Sequence, residues 1–221
     1  AATHAALLAH HFDEAGEGLE AARWHEQAGR RVARSDPADG ERHCRRVITL
    51  LGAVPESAET RTLQLTSRIA LLEIGRIAGI EAREARRLFD EAGVVAERLQ
   101  DKAGHAFLLT SYGRLCGLAG DVAQYLACAE RATELADGSG AIEVSPGYAQ
   151  AHAGLADTLS FRYMYVQRDD DTGRLALEHA RKALELAPEL AEAHASEGLA
   201  LLLQRRYQTA EQSFCRAIDL I

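Results

Sequence analysis

Histidines, carboxylates and cysteines are the residues of this chain most able to do chemistry, so their spacing comes first. Nine histidines occur in 221 residues. His10 and Glu14 stand one helical turn apart and could share a metal. A metal centre needs several converging ligands, however, and no cysteine falls at ligand spacing from them. HEQAG at 25–29 breaks the zinc-helix pattern HExxH at Gly29. The acidic run Asp169-Asp170-Asp171 resembles the start of a calcium loop, but Gly173 comes one place too early and Ala180 stands where the loop's final glutamate belongs. Helix capping by Asp171 or Thr172 is the expected role instead. Ser, His and Asp are present without a G-x-S-x-G elbow, and no glycine is followed by lysine, so no phosphate-binding loop exists. Cys44, Cys116, Cys128 and Cys215 form no CxxC pair and are expected to be reduced, mostly buried thiols of a cytoplasmic protein. The pattern therefore assigns no catalytic residue, no cofactor and no metal, and an enzyme is not expected.

Charge narrows the partners. Arginines cluster at 30–34 (RRVAR), 42–46 (RHCRR) and 83–87 (REARR). A basic patch for an acidic partner is one reading. Carboxylates one turn away, such as Glu41 beside Arg45, favour a solvated outer face. With 25 Lys and Arg against 33 Asp and Glu, the formal net charge is -8. That disfavours nucleic acid and anionic lipid as partners. No apolar run approaches the ~18 residues that a bilayer span requires.

The elements that would position these residues are helices. Hydrophobic residues make up 47% of the chain and aromatics only 5%, with Ala and Leu dominant. Small and straight-chain residues favour helices and close helix packing. No run alternates Val, Ile and Thr as a strand would. AIEVSPGYAQAHAGLA, beginning at Ala141, returns as ALELAPELAEAHASEG at Ala183, an offset of 42. ALEL at 183 returns as AIDL at 217, an offset of 34. A period of 34 indicates stacked helical hairpins. VQRDDDTG at 166–173 accounts for the eight additional residues of the longer offset. Apolar spacing and the four prolines predict helices over 3–15, 19–34, 38–52, 57–77, 81–100, 103–118, 121–137, 147–165, 172–186, 189–203 and 206–220.

In this register the chain resembles the tetratricopeptide repeat family. Counting from Ala191, small residues fall at the eighth, twentieth and twenty-seventh places as Gly198, Ala210 and Ala217, with Tyr207 and Phe214 between them and Pro188 ending the repeat before. The repeat from Ala149 carries Leu155, Ala156, Ala176 and Ala183 in matching places. Earlier, more degenerate repeats place Ala9, Ala21 and Ala28, then Gly113, Cys116 and Ala132. His194 and Glu197 depart from the family's usual Trp and Leu, which weakens packing there. Residues 5–137 also resemble the C-terminal repeat region of bacterial multidomain regulators that join a nucleotide cyclase or DNA-binding domain to an ATPase module. The resemblance implies an all-α fold, an α–α superhelix of tetratricopeptide-like hairpins. The expected organisation is degenerate repeats over 1–137, a linker or break at 138–140, and repeats over 141–221, incomplete at the C-terminus. Two readings of the GSG at 138–140 stay open: a natural loop, or a place where residues are absent. A start without Met suggests a fragment, and an uncapped end at Leu220 and Ile221 suggests either continuation or homo-association.

By the same resemblance, first helices line a peptide groove. Its residues here are Phe107 and Arg114, then Gln150, Asp157 and Phe161, then Glu192, Leu199 and Leu202. Chaperone-binding relatives clamp a terminal carboxylate with Lys and Asn at such places, and this chain has neither, so an EEVD-type tail is not expected to bind. A largely apolar helix or extended peptide is the expected ligand. The implied function is a non-catalytic protein- or peptide-binding scaffold within a larger bacterial signalling protein. The alternative is a sensing module whose small-molecule or peptide ligand switches an attached cyclase, ATPase or DNA-binding domain.

Overall fold

The computed structural model describes residues 2–137, 146–165 and 168–220. Among them the chain is all-α, with eleven helices and no strand. In order these are α1 (Ala2–Glu14), α2 (Gly18–Val32), α3 (Pro37–Leu51), α4 (Ala58–Ala78), α5 (Ala82–Leu99), α6 (Lys102–Leu118), α7 (Val122–Asp137), α8 (Pro146–Tyr165), α9 (Asp170–Leu186), α10 (Ala191–Leu203) and α11 (Tyr207–Asp219). Each expected helix is present, with ends displaced by at most two residues. None of the described helices is long and apolar enough to cross a membrane.

Local chemistry explains the ends. Pro37 and Pro146 open α3 and α8, where a missing N–H costs nothing. Ser57 and Thr60 form a reciprocal capping box at the start of α4. Gly120, at φ 84°, makes the turn between α6 and α7. One expected cap is corrected. Helix α9 begins two residues earlier than expected, and its cap is Asp169, not Asp171 or Thr172. The Asp169 carboxylate accepts both the backbone N–H and the hydroxyl of Thr172, each at 2.7 Å. Neither alternative cap gains two such bonds.

The chain divides into two compact units, Ala1–Gly104 and His105–Ile221. The expected break at 138–140 lies outside the described residues. In the first unit each helix from α1 to α5 packs on the next, and α2 also reaches α4. Ala9, Ala21 and Ala28 are fully buried at the crossings. Ion pairs join helices two apart in sequence. Arg46 holds Asp13 (α3 to α1) at 2.5 Å, Arg23 holds Glu59 (α2 to α4) at 2.6 Å, and Arg45 holds Glu84 (α3 to α5) at 3.1 Å. Arg45 also takes Glu41 at 2.8 Å. Much of the basic clustering in the sequence is thus spent on carboxylates of the same unit. Solvent keeps such pairs weak, so they fix the register of the stack more than they stabilise it.

Between α2 and α3 the first unit buries two histidines. His25 Nδ1 and His43 Nδ1 are 2.7 Å apart, and His25 Nε2 lies 3.3 Å from Asp13 Oδ2. His43 Nε2 is buried without a hydrogen-bond partner, 3.7 Å from Asp39 Oδ2. One arrangement of neutral rings satisfies both short contacts and leaves only His43 Nε2 unpartnered: His25 donates from Nε2 to Asp13, and His43 donates from Nδ1 to His25. Burial lowers the pKa of both rings. The charge of His43 adds to this for His25, and Arg42 for His43, while Asp13 and Asp39 oppose it.

In the second unit α8 pairs with α9 and α10 with α11, and α10 packs on both α8 and α9. Ala156, Ala176, Ala183, Ala210 and Ala217 are buried at the crossings. Gly198 is the tightest case on α10: a Cβ there would stand 2.7 Å from the Phe214 ring of α11. Glu197, the departure expected to weaken packing, finds polar partners. It accepts the Ser213 hydroxyl at 2.9 Å and lies 3.6 Å from Arg181.

Gly198→Ala gains helix propensity of up to about 1 kcal/mol but collides with Phe214. Overpacking of about 1–3 kcal/mol wins, so thermal denaturation should show a destabilised chain. Gly93→Ala in α5 meets open space and should stabilise by about 0.5–1 kcal/mol. A gain of stability in the Gly198 variant would refute the close crossing. For the histidine pair, the folded chain binds protons less readily than the unfolded chain below the ordinary imidazole value of 6.5. The contribution is complete above that pH and is lost as pH falls through the lowered folded values. Melting between pH 7.5 and pH 5.5 should therefore show a drop that His25→Leu/His43→Leu reduces; an equal drop in both proteins would refute it.

Candidate functional site

Helices α6, α8 and α10 of the second unit share a face carrying a chain of polar side chains. Arg114 Nη2 on α6 lies 3.6 Å from Asp157 Oδ2 on α8. The other carboxylate oxygen of Asp157 is 2.7 Å from the Ser196 hydroxyl on α10, which also lies 2.8 Å from Glu192 O. Small residues let these helices approach. A Cβ on Gly154 of α8 would overlap Thr110 of α6, and Ala153 and Ala193 are fully buried between α8 and α10. Gly117 of α6 leaves room for the Tyr125 ring of α7, which meets Phe161 edge-on with centroids 6.0 Å apart.

Three of the eight groove residues expected from sequence take part in, or border, the polar chain: Arg114 and Asp157 as an ion pair, and Glu192 through its backbone. The apolar members follow by helix spacing. Phe161 stands four residues after Asp157 and Leu199 three after Ser196, so each lies near its polar neighbour on the same side of its helix, and Leu202 stands three after Leu199. Leu118, four residues after Arg114, is 70% exposed, and Leu202 is 41% exposed. Phe107, Gln150, Phe161 and Leu199 are half-buried. The face thus has a polar line with apolar side chains alongside it.

Burial raises the Asp157 pKa above its ordinary value. Arg114 and the Ser196 hydroxyl counter that rise, and the charge of Glu192 adds to it. This half-buried carboxylate, with one cation and one hydroxyl beside it, offers groups suited to recognition. Among the described residues, no three metal-ligating side chains converge. His10 and Glu14, the pair singled out in the sequence, are both exposed. His152 and His194, equivalent in the repeat, differ in their partners. His152 stacks on His179 with Nδ1 atoms 3.0 Å apart, whereas His194 Nε2 meets Pro188 O at 2.8 Å. Of the cysteines, Cys44, Cys116 and Cys128 are buried and Cys215 is exposed. Burial, with Glu26 and Glu41 nearby, pushes the Cys44 thiol up to about 12, far from a reactive thiolate.

No family model and no curated protein sequence matches the chain. Several solved structures are similar to it. One is YrrB, described as a TPR protein with an unusual peptide-binding site, at 14% identity over 89% of this chain and 84% of that one, with a TM-score of 0.43. MamA AMB-1 is similar at 14% identity over 89% and 96%, with a TM-score of 0.47. A MamA RS-1 ArsTM double mutant is similar at 18% identity over 90% and 93%, with a TM-score of 0.43. None of these scores reaches 0.5.

The Asp157 environment is testable by titration. Its carboxyl midpoint, read by carbon NMR, should lie above 3.8 and move higher in Arg114→Met, which removes the opposing charge. Because the folded value is raised, the stability of the wild type relative to Asp157→Asn should fall as pH rises through that midpoint. A midpoint below 3.8 would refute the buried-acid geometry.

Proposed function

We propose that the chain is a non-catalytic scaffold that binds a protein or peptide on the face shared by α6, α8 and α10. The observation that carries this reading is the Arg114–Asp157–Ser196 line, which joins three helices and leaves apolar side chains beside it. A ligand that lays apolar anchors along Leu118, Phe161 and Leu202 would find hydrogen-bonding groups at fixed spacing next to them. An amphipathic helix suits this pattern, with anchors three and four residues apart. Its polar side would meet the guanidinium of Arg114 and the carboxylate of Asp157. The finer reading is that this segment regulates a larger bacterial, cytoplasmic signalling protein, and its support is the sequence resemblance of residues 5–137.

Selection of a displayed peptide library on the purified chain tests the proposal. Enriched peptides should carry apolar anchors at helical spacing and should lack the EEVD ending. Affinity should fall about tenfold or more in Phe161→Ala and Leu199→Glu, the scale set by losing a buried anchor. Equal affinity for wild type and both variants would sink the assignment of this face.

A further inference from the structure

A second surface lies on the same unit, away from the polar line and independent of its reading. The C-terminal ends of α8 and α10 and the outer side of α9 enclose a cleft of about 600 Å³. Tyr163, Leu177 and Leu203 give it an apolar floor. Arg168, Arg174, Arg181 and Arg205 surround that floor together with Asp170 and Glu178, while Asp171 and Glu197 lie 3.3 Å from Arg174 and 3.6 Å from Arg181. On a chain with a net charge of -8, four arginines around one cleft are a local concentration of positive groups.

We propose that this cleft binds a small phosphorylated anion with an apolar or planar body, of the size of a nucleoside diphosphate. Guanidinium groups match phosphate oxygens in charge and in forked geometry. The volume falls within the range of small-molecule sites. The cleft is also held in shape. Gln204 Nε2 donates to Gly173 O at 3.0 Å, tying the end of α10 to the first turn of α9. Arg168 is fixed over the Tyr163 ring, 5.5 Å from its centroid.

Two arginines point to a ligand more directly. Arg205 adopts φ 60°, a left-handed conformation that glycine takes without strain. Yet the chain places an arginine there, and its guanidinium has no partner among the described residues. Arg174 is paired with Glu178 at 2.7 Å and Asp171 at 3.3 Å, but these pairs are well exposed and a phosphate can displace them. The eight-residue insertion at 166–173, which lengthens one repeat offset from 34 to 42, supplies Arg168, Asp170 and Gly173. The extra residues thus build one wall of the cleft. Asp170 and Glu178 interrupt the positive lining, which favours a compact anion over a long acidic peptide.

Calorimetric titration of the whole chain with ADP, inorganic pyrophosphate and a hexaglutamate peptide tests this. ADP should bind, pyrophosphate should bind more weakly because it lacks the body, and the peptide should bind least. Arg205→Gly should weaken ADP binding about tenfold, the scale of one charge-assisted contact, while leaving the melting temperature equal or higher. Arg174→Ala should weaken it as well. The proposal is overturned if neither ADP nor pyrophosphate binds, if hexaglutamate binds tighter than ADP, or if Arg205→Gly folds and binds ADP as the wild type does.

Discussion

Close approach of helix backbones at small side chains is the constraint on which everything else in this chain rests. Alanine or glycine occupies the crossing places, as at Ala9, Ala21 and Ala28 in the first unit and Ala156, Ala183 and Gly198 in the second. A helix pair that meets at such residues leaves little space for long side chains between the axes. Long residues are therefore displaced to the flanks, where they either pair across helices or face solvent. Gly198 against Phe214 shows how narrow the tolerance is. A single methyl group there would stand 2.7 Å from the ring and force it to shift.

The same closeness governs the polar groups. A polar side chain at a crossing loses water and must find its partner on the next helix. The first unit answers with His25 bonded to His43, and the second repeats the device with His152 and His179. Ser196 is buried at the contact of α10 with α8, and its hydroxyl reaches Asp157. Asp157 in turn needs Arg114, since a carboxylate in that setting is otherwise held toward its protonated form. The polar line on the α6–α8–α10 face is thus a consequence of tight packing.

Most of the architecture was legible because it is written locally. Helix spacing, prolines at starts and turns, and the 34-residue period are properties of neighbouring residues. Even the ends of the helices could be read to within two residues. What was not legible depends on distant residues. Asp169 takes over the α9 cap because its carboxylate reaches two groups of Thr172, a geometric choice that a run of three aspartates leaves open. Arg114 and Asp157 could be placed on one side of their helices, but not at ion-pair distance, since they are 43 residues apart in the sequence. The arginine cleft left the weakest trace. Its four arginines come from the loop after α8, from α9 and from the end of α10, and no local pattern joins them. Only the insertion at 166–173 marked the place.

The two surfaces of the second unit use adjacent residues of the same helices. Phe161 and Tyr163 are two apart on α8, and Leu202 and Leu203 are neighbours on α10, so about 100–200° of helix rotation separates their directions. Such proximity invites the idea of a switch in which an anion in the cleft alters the peptide face. Coupling requires an element with two arrangements for which the ligand has different affinities. The last turn of α10 is a poor candidate for that element. The Gln204–Gly173 bond holds it from the side, and the backbone N–H groups of Arg205 and Arg206 close it onto Leu202 O and Leu201 O at 2.9 Å. An anion bound by Arg205 would reinforce this arrangement and not select another. The geometry therefore gives no element through which the two proposed surfaces would be coupled.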